Sequence, residues 1–195
     1  MKTTQKLLFA AAVAACTISF GAEPLKLPFN IDPQIPRKIE IGKSAVLTLS
    51  PGNFEVVQCS WYPAVELAAR EIAEALSEVF GTTVKPVKKA SGSKIEIRVG
   101  DRELAKKLGI DIAKFDRDGF VIRTDGKKIL IIGRDRPDSK PLRNARGFGD
   151  KGEWATLFGA YDFLERFAGV RYYFPGKLGT YTPKTKTLAI PEINI

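Results

Sequence analysis

Between positions 64 and 80 apolar residues recur every three or four places. Val65, Ala68, Ala69, Ile72, Leu76, Val79 and Phe80 form one stripe, while Glu66, Arg70, Glu71, Glu74 and Glu78 fall mainly opposite. That period predicts an amphipathic helix, with Pro63 in its first turn and Gly81 as a left-handed cap. A second stripe, Leu157, Tyr161, Leu164 and Ala168, predicts a helix over about 153–167 that Gly169 ends. Elsewhere the period shortens to two. Partial alternation over 39–49 predicts a strand or hairpin closed by Pro51-Gly52-Asn53, with 54–57 as a short partner strand. The β-branched runs 82–87 and 95–99 predict two more strands. Asp101 is placed to cap a short helix over 102–108. Residues 119–123 and 128–132 flank Asp125-Gly126, a hairpin turn signal. A short strand over 170–174 and a last one over 187–190 complete the pattern, and 133–151 and 175–183 read as loops. These elements predict an α+β fold: a two-layer sandwich of a mixed, hairpin-rich β-sheet backed by two long helices.

The N-terminus follows a different rule. Lys2 and Lys6 precede the unbroken apolar run 7–15, and small residues lead to Gly21 and Ala22. This predicts a signal peptide over 1–22 and export to the periplasm or beyond, because a membrane span needs roughly 20 apolar residues. Two cleavage registers fit: ordinary cleavage after Gly21, or a lipobox over 13–16 that leaves a lipid-anchored Cys16. The four prolines of 23–38 predict an extended lead-in, and the domain proper is expected over 39–195.

Composition narrows the chemistry. The 195 residues contain no histidine, which removes Ser-His-Asp and Cys-His catalysis and histidine metal ligands. Cleavage after Gly21 leaves Cys59 as the single cysteine, so neither a disulfide nor a thiolate zinc site is expected. With Val57, Gln58, Ser60 and Trp61 as sequence neighbours, Cys59 reads as structural rather than reactive. The net charge of +9 is spread along the chain in short pairs such as Lys88-Lys89, Lys106-Lys107 and Lys127-Lys128. It suggests a solvated basic surface, facing anionic glycans or the envelope, and no nucleic-acid module is visible.

Carboxylate chemistry needs two acids with different pKa values, about 5 to 9.5 Å apart for glycoside hydrolysis. The pairs on offer are Asp116 with Asp118, Asp135 with Asp138, and Glu153 with Asp162 or Glu165. Turn, surface and salt-bridge roles explain all of them as well as catalysis does. Gly147-Phe148-Gly149 fits neither a Walker nor a dinucleotide pattern in context. No cofactor and no metal are implied. Trp61, Trp154, Tyr172, Tyr173, Phe174 and Tyr181 lie near loops or element ends, where aromatic rings stack on sugars or fill an interface.

Residues 156–165 (Thr-Leu-Phe-Gly-Ala-Tyr-Asp-Phe-Leu-Glu), 169–176 (Gly-Val-Arg-Tyr-Tyr-Phe-Pro-Gly) and 179–183 (Gly-Thr-Tyr-Thr-Pro) carry a family resemblance. Together with the helix ending in Gly81, they resemble the N-terminal domain of family 67 α-glucuronidases and domain two of family 20 β-hexosaminidases. The likeness is closest to related secreted proteins of similar domain order. In such families the catalytic carboxylates belong to the (β/α) barrel that follows, so the resemblance carries over no catalytic residue. It implies a non-catalytic accessory domain that packs against a glycoside-hydrolase barrel, in cis or in trans, during polysaccharide breakdown. Tyr172, Tyr173, Phe174 and Tyr181, with Trp154, are the expected ligand or domain contacts. A stand-alone carbohydrate-binding module and a truncated glycoside hydrolase remain as alternatives, with glycans as possible partners.

Overall fold

Two helices and a sheet face share one apolar interior, and each contributes through its own period. The computed structural model describes residues 38–138 and 152–195. The leader, Cys16, nearly all of the lead-in and the 147–149 glycine pair lie outside them. The strands are β1 (Glu40–Leu49), β2 (Phe54–Gln58), β3 (Pro86–Val87), β4 (Ile95–Val99), β5 (Phe120–Asp125), β6 (Lys128–Gly133), β7 (Arg171–Tyr172), β8 (Thr180–Tyr181) and β9 (Leu188–Asn194). The α-helices are α1 (Pro63–Phe80), α2 (Arg102–Lys107) and α3 (Ala155–Phe167). Seven strands form a mixed sheet in the order β1-β9-β5-β6-β4-β2-β3, and β7 and β8 form a separate antiparallel pair.

The α+β sandwich expected from the pattern is the one observed. Helices α1 and α3 pack on each other and on one face of the sheet. There Ile72, Leu76, Leu157, Phe163 and Leu164 meet Val56, Ile97, Ile122, Ile129 and Ile131. Strand β6 is apolar on both faces, so alternation sends Leu130 and Ile132 to the opposite side. They are covered there by Leu104 and Ala105 of α2. α1 starts at Pro63 and ends at Gly81, whose φ of 63° is the left-handed cap. α3 lies so close to the end of β6 that a Cβ on Gly133 would stand 2.4 Å from the Ala155 Cβ. Only glycine fits there.

Four expectations are revised, the first being the strand over 82–87, which shrinks to β3. The turn after Leu49 forms, with Asn53 Oδ1 accepting from Ser50 N at 2.8 Å, but β1 and β2 do not pair. β2 is largely buried and takes neighbours on both sides, parallel to β4 and β3. The mostly exposed β1 lies at the sheet margin against β9. Strand β9 also runs through Pro191, beyond the expected end at Ile190. A register irregularity between Ala45 and Leu47 lies opposite that proline, and bulges tolerate its missing N–H. Finally, the expected strand over 170–174 shrinks to β7, and its partner β8 lies inside the segment read as a loop.

Candidate functional site

The β7–β8 hairpin separates the expected contact aromatics by side-chain alternation. Tyr172 pairs with Thr180, and Arg171 pairs with Tyr181. Successive residues of a strand point to opposite faces, so Tyr172 and Thr180 look one way while Arg171 and Tyr181 look the other. Tyr172, Phe174, Thr180 and Thr182 line a cavity of about 750 Å³ closed by α1 and α3. Tyr173 and Tyr181 are absent from that lining and are 73% and 57% exposed. The loop joining the strands is tight: Tyr173 N donates to Gly179 O at 2.8 Å. A Cβ on Gly179 would stand 1.9 Å from the Phe174 carbonyl oxygen.

α1 contributes Glu71, Glu74 and Glu78 to the cavity, and α3 contributes Tyr161 and Glu165. The three glutamates of α1 share a face because their spacing follows helix periodicity. Tyr161 and Tyr172 meet edge to face, with ring centroids 5.1 Å apart. Burial pushes the Tyr161 hydroxyl up to about 12, and the Glu71 carboxylate beside it adds to the rise. Burial, then the neighbouring Glu74 charge, raises Glu71 itself. Tyr172 is raised as well, first by burial. Arg70 stands 4.0 Å from Glu74 and its charge also acts on Glu71, whereas two other neighbouring arginines have partners elsewhere. Arg166 pairs with Asp162 at 2.8 Å, and Arg171 donates to the carbonyls of Glu165 and Val170 at 2.6 and 2.8 Å. Lys177 is the one basic residue among those lining the cavity.

The other expected aromatics lie away from this groove. Trp154 is only 9% exposed and belongs to the main apolar core, bridged to Asp135 where α3 begins. Its burial leaves little of the ring open to a ligand or a partner. Trp61 is 71% exposed, between β2 and α1, edge-on to Tyr62 at 5.0 Å.

In the pairs Asp135 with Asp138 and Glu153 with Asp162, each carboxylate meets its own partner. Both oxygens of Asp135 accept from Thr156, one from its N–H at 2.9 Å and one from its hydroxyl. Asp138 pairs with Arg136 at 2.7 Å. Glu153 pairs with Arg134 and Asp162 with Arg166, each at 2.8 Å. Asp116 accepts a turn bond from Gly119 N through its carbonyl, and Asp118 holds a φ of 67°. Burial lifts Asp135 to about 6 despite the Thr156 hydrogen bonds.

A second cavity, about 510 Å³, is lined by Cys59, Glu96, Arg98 and Asp101 together with Lys88, Lys89, Lys107 and Lys128. Cys59 has a cation nearby after all, Arg98, which sequence neighbours alone did not reveal. Burial and the Asp101 and Glu96 charges outweigh it and push the thiol up to about 11. Among the described residues no group of three or more acidic, histidine or cysteine side chains could hold a metal ion. No described helix is long and apolar enough to cross a membrane.

Residues 43–137 match the family described as Glycosyl hydrolase family 67 N-terminus. Among solved structures the chain is similar to a family GH115 4-O-methyl-alpha-glucuronidase with specificity for decorated arabinogalactans. The identity is 17% and the TM-score 0.44, over 75% of this chain and 18% of that one. No curated protein matches the sequence. Residues 43–137 are thus similar to the N-terminal domain type of glycoside hydrolases. The matched span contains β2, α1 and β4 to β6, whereas most of the motifs that first suggested the family lie beyond it.

Proposed function

We propose that this chain is a non-catalytic accessory domain of an exported carbohydrate-active enzyme, packing against a glycoside-hydrolase barrel during polysaccharide breakdown. The match of residues 43–137 to a glycoside-hydrolase N-terminus carries the reading, since that domain type is by name one part of a larger enzyme. On this reading residues 1–22 are a removable leader, 23–38 an extended lead-in and 39–195 the working domain. The outer face of the β7–β8 hairpin supports it. Tyr173, Leu178 and Tyr181 are 73%, 94% and 57% exposed on one short projection, and clustered aromatic anchors are what a protein interface uses.

The test is to purify the chain with a family 67-type barrel and measure association by titration. A specific complex that weakens about tenfold or more when Tyr173 and Tyr181 are both changed to alanine is expected, since such anchors dominate binding. No complex with any such barrel, or one indifferent to both tyrosines, would reject the docking face.

A further inference from the structure

The groove between α1, α3 and the inner face of the hairpin is a separate surface from the docking face. We infer that it is a subsite for a neutral pyranose ring of a polysaccharide, and that it turns uronate-bearing chains away. The choice of a sugar rests on the carbohydrate-enzyme reading above; the groove's shape and chemistry supply the rest. A cavity of about 750 Å³ falls in the range of small-ligand sites, about 300–1,000 Å³. Phe174 is 57% exposed on its rim and Tyr172 is 36% exposed. Their rings can cover the apolar C–H face of a pyranose, as aromatic side chains with open faces do. Tyr172 is braced edge-on by Tyr161, so the platform is held before any ligand arrives. Thr180 and Thr182 add hydroxyls that donate or accept.

The carboxylates set the selectivity rather than create the site. Glu71, Glu74, Glu78 and Glu165 are acceptor-only groups when ionised, suited to sugar hydroxyls that donate. Lys177 and Arg70, the latter 4.0 Å from Glu74, offset two of the four charges, and Arg166 and Arg171 are committed to Asp162 or to main-chain carbonyls. A uronate entering this surplus meets like charge at short range, whereas a neutral hexose or pentose does not. The groove is thus negative in a chain whose net charge is +9. A neutral polysaccharide backbone suits it, and acidic decorations would have to point outward.

Calorimetric titration of the full chain tests this with neutral xylo-, gluco-, manno- and galacto-oligosaccharides, their uronate-bearing counterparts, and a lysine hexapeptide. Binding of at least one neutral series is expected, about tenfold tighter than its uronate form. Phe174→Ala should weaken it about fivefold, the scale of one aromatic contact. Glu165→Gln should narrow the gap between neutral and acidic ligands. Tyr173→Ala and Tyr181→Ala should leave sugar binding unchanged, which separates this site from the barrel-docking face. Binding to none of the neutral series, equal binding of uronate, or binding of the lysine peptide alone would each overturn the inference without touching the docking proposal.

Discussion

Asp101 and Asp135 occupy matching places and titrate in opposite directions. Each lies two residues beyond the end of a strand, on the adjacent parallel strands β4 and β6. Each accepts from a backbone N–H at the start of a helix, Asp101 from Leu104 and Asp135 from Thr156, both at 2.9 Å. Burial pushes both carboxyls upward. At Asp101 the Leu104 N–H and the Arg98 guanidinium overcome it and hold the group below its ordinary value. At Asp135 the second oxygen meets the neutral Thr156 hydroxyl, and the group rises to about 6. Two caps of similar geometry therefore differ in how strongly burial desolvates the carboxyl and in the charge of one partner. A neutral donor satisfies a buried carboxylate's geometry but does not cancel its charge.

Removing the cation should break the contrast. Arg98 also binds Glu96 at 2.6 Å, and both acids are nearly buried. Arg98→Met leaves two poorly solvated charges and is expected to cost about 3–4 kcal/mol, read from the denaturation midpoint. Asp101 should then titrate above its ordinary value, as Asp135 does. An unchanged midpoint would mean that Arg98 is decorative.

The next effect is the pH dependence. An unfolded aspartate titrates near 4. Folded Asp135 keeps its proton to about 6, so between about 4 and 6 its contribution to stability falls as pH rises. The amplitude is roughly 3 kcal/mol for a rise of that size. Asp101 does the reverse: its contribution is present above about 4 and is lost as pH falls through its lowered value. Stability curves of Asp135→Asn should lack the decline between 4 and 6, and those of Asp101→Asn should lack part of the acid loss below 4. Identical curves for both variants would erase the distinction. A smaller effect is expected from Thr156→Val, about 2 kcal/mol, because the Thr156 hydroxyl also accepts from Gly133 N at 2.8 Å.

Little of this contrast could be read along the chain. Asp101 was recognisable because a cap lies immediately before its own helix, and the structure shows its carboxylate accepting from Leu104. Asp135 caps α3 from 21 residues away, and no local pattern announces such a contact; beside Asp138 it resembled one half of an acid pair. The same rule divides the fold. α1 and the β5–β6 hairpin were legible because their signals, Pro63, Gly81 and Asp125-Gly126, are local. The pairing of β1 with β9 joins Glu40 to Asn194 and depends on the whole sheet. The groove behaves likewise: Glu71 read as part of a solvated helix face and Tyr161 as part of an apolar stripe. Only the hairpin lying across them makes a concavity. Tyr172 and Phe174 were expected among the contacts, but their separation from Tyr173 and Tyr181 needed the observed strand register.

The smallest expected effect uses Cys59 to report on the Asp101 side alone. The thiol stands at about 11, with Arg98 pulling it down and Asp101 and Glu96 pushing it up after burial. Alkylation requires the thiolate, so the rate at pH 8 follows the balance of those three charges. Asp101 is ionised there because its value is lowered. Asp101→Asn removes one upward push and should quicken iodoacetamide labelling about threefold, the effect of a half-unit change in pKa. Asp135 is not among the groups acting on Cys59, so Asp135→Asn should leave the rate where it was. Equal acceleration by both variants would point to general loosening of the strand ends instead of a local charge. A rate that changes only with Asp101 would show that the two caps, on adjacent strands, are electrostatically separate.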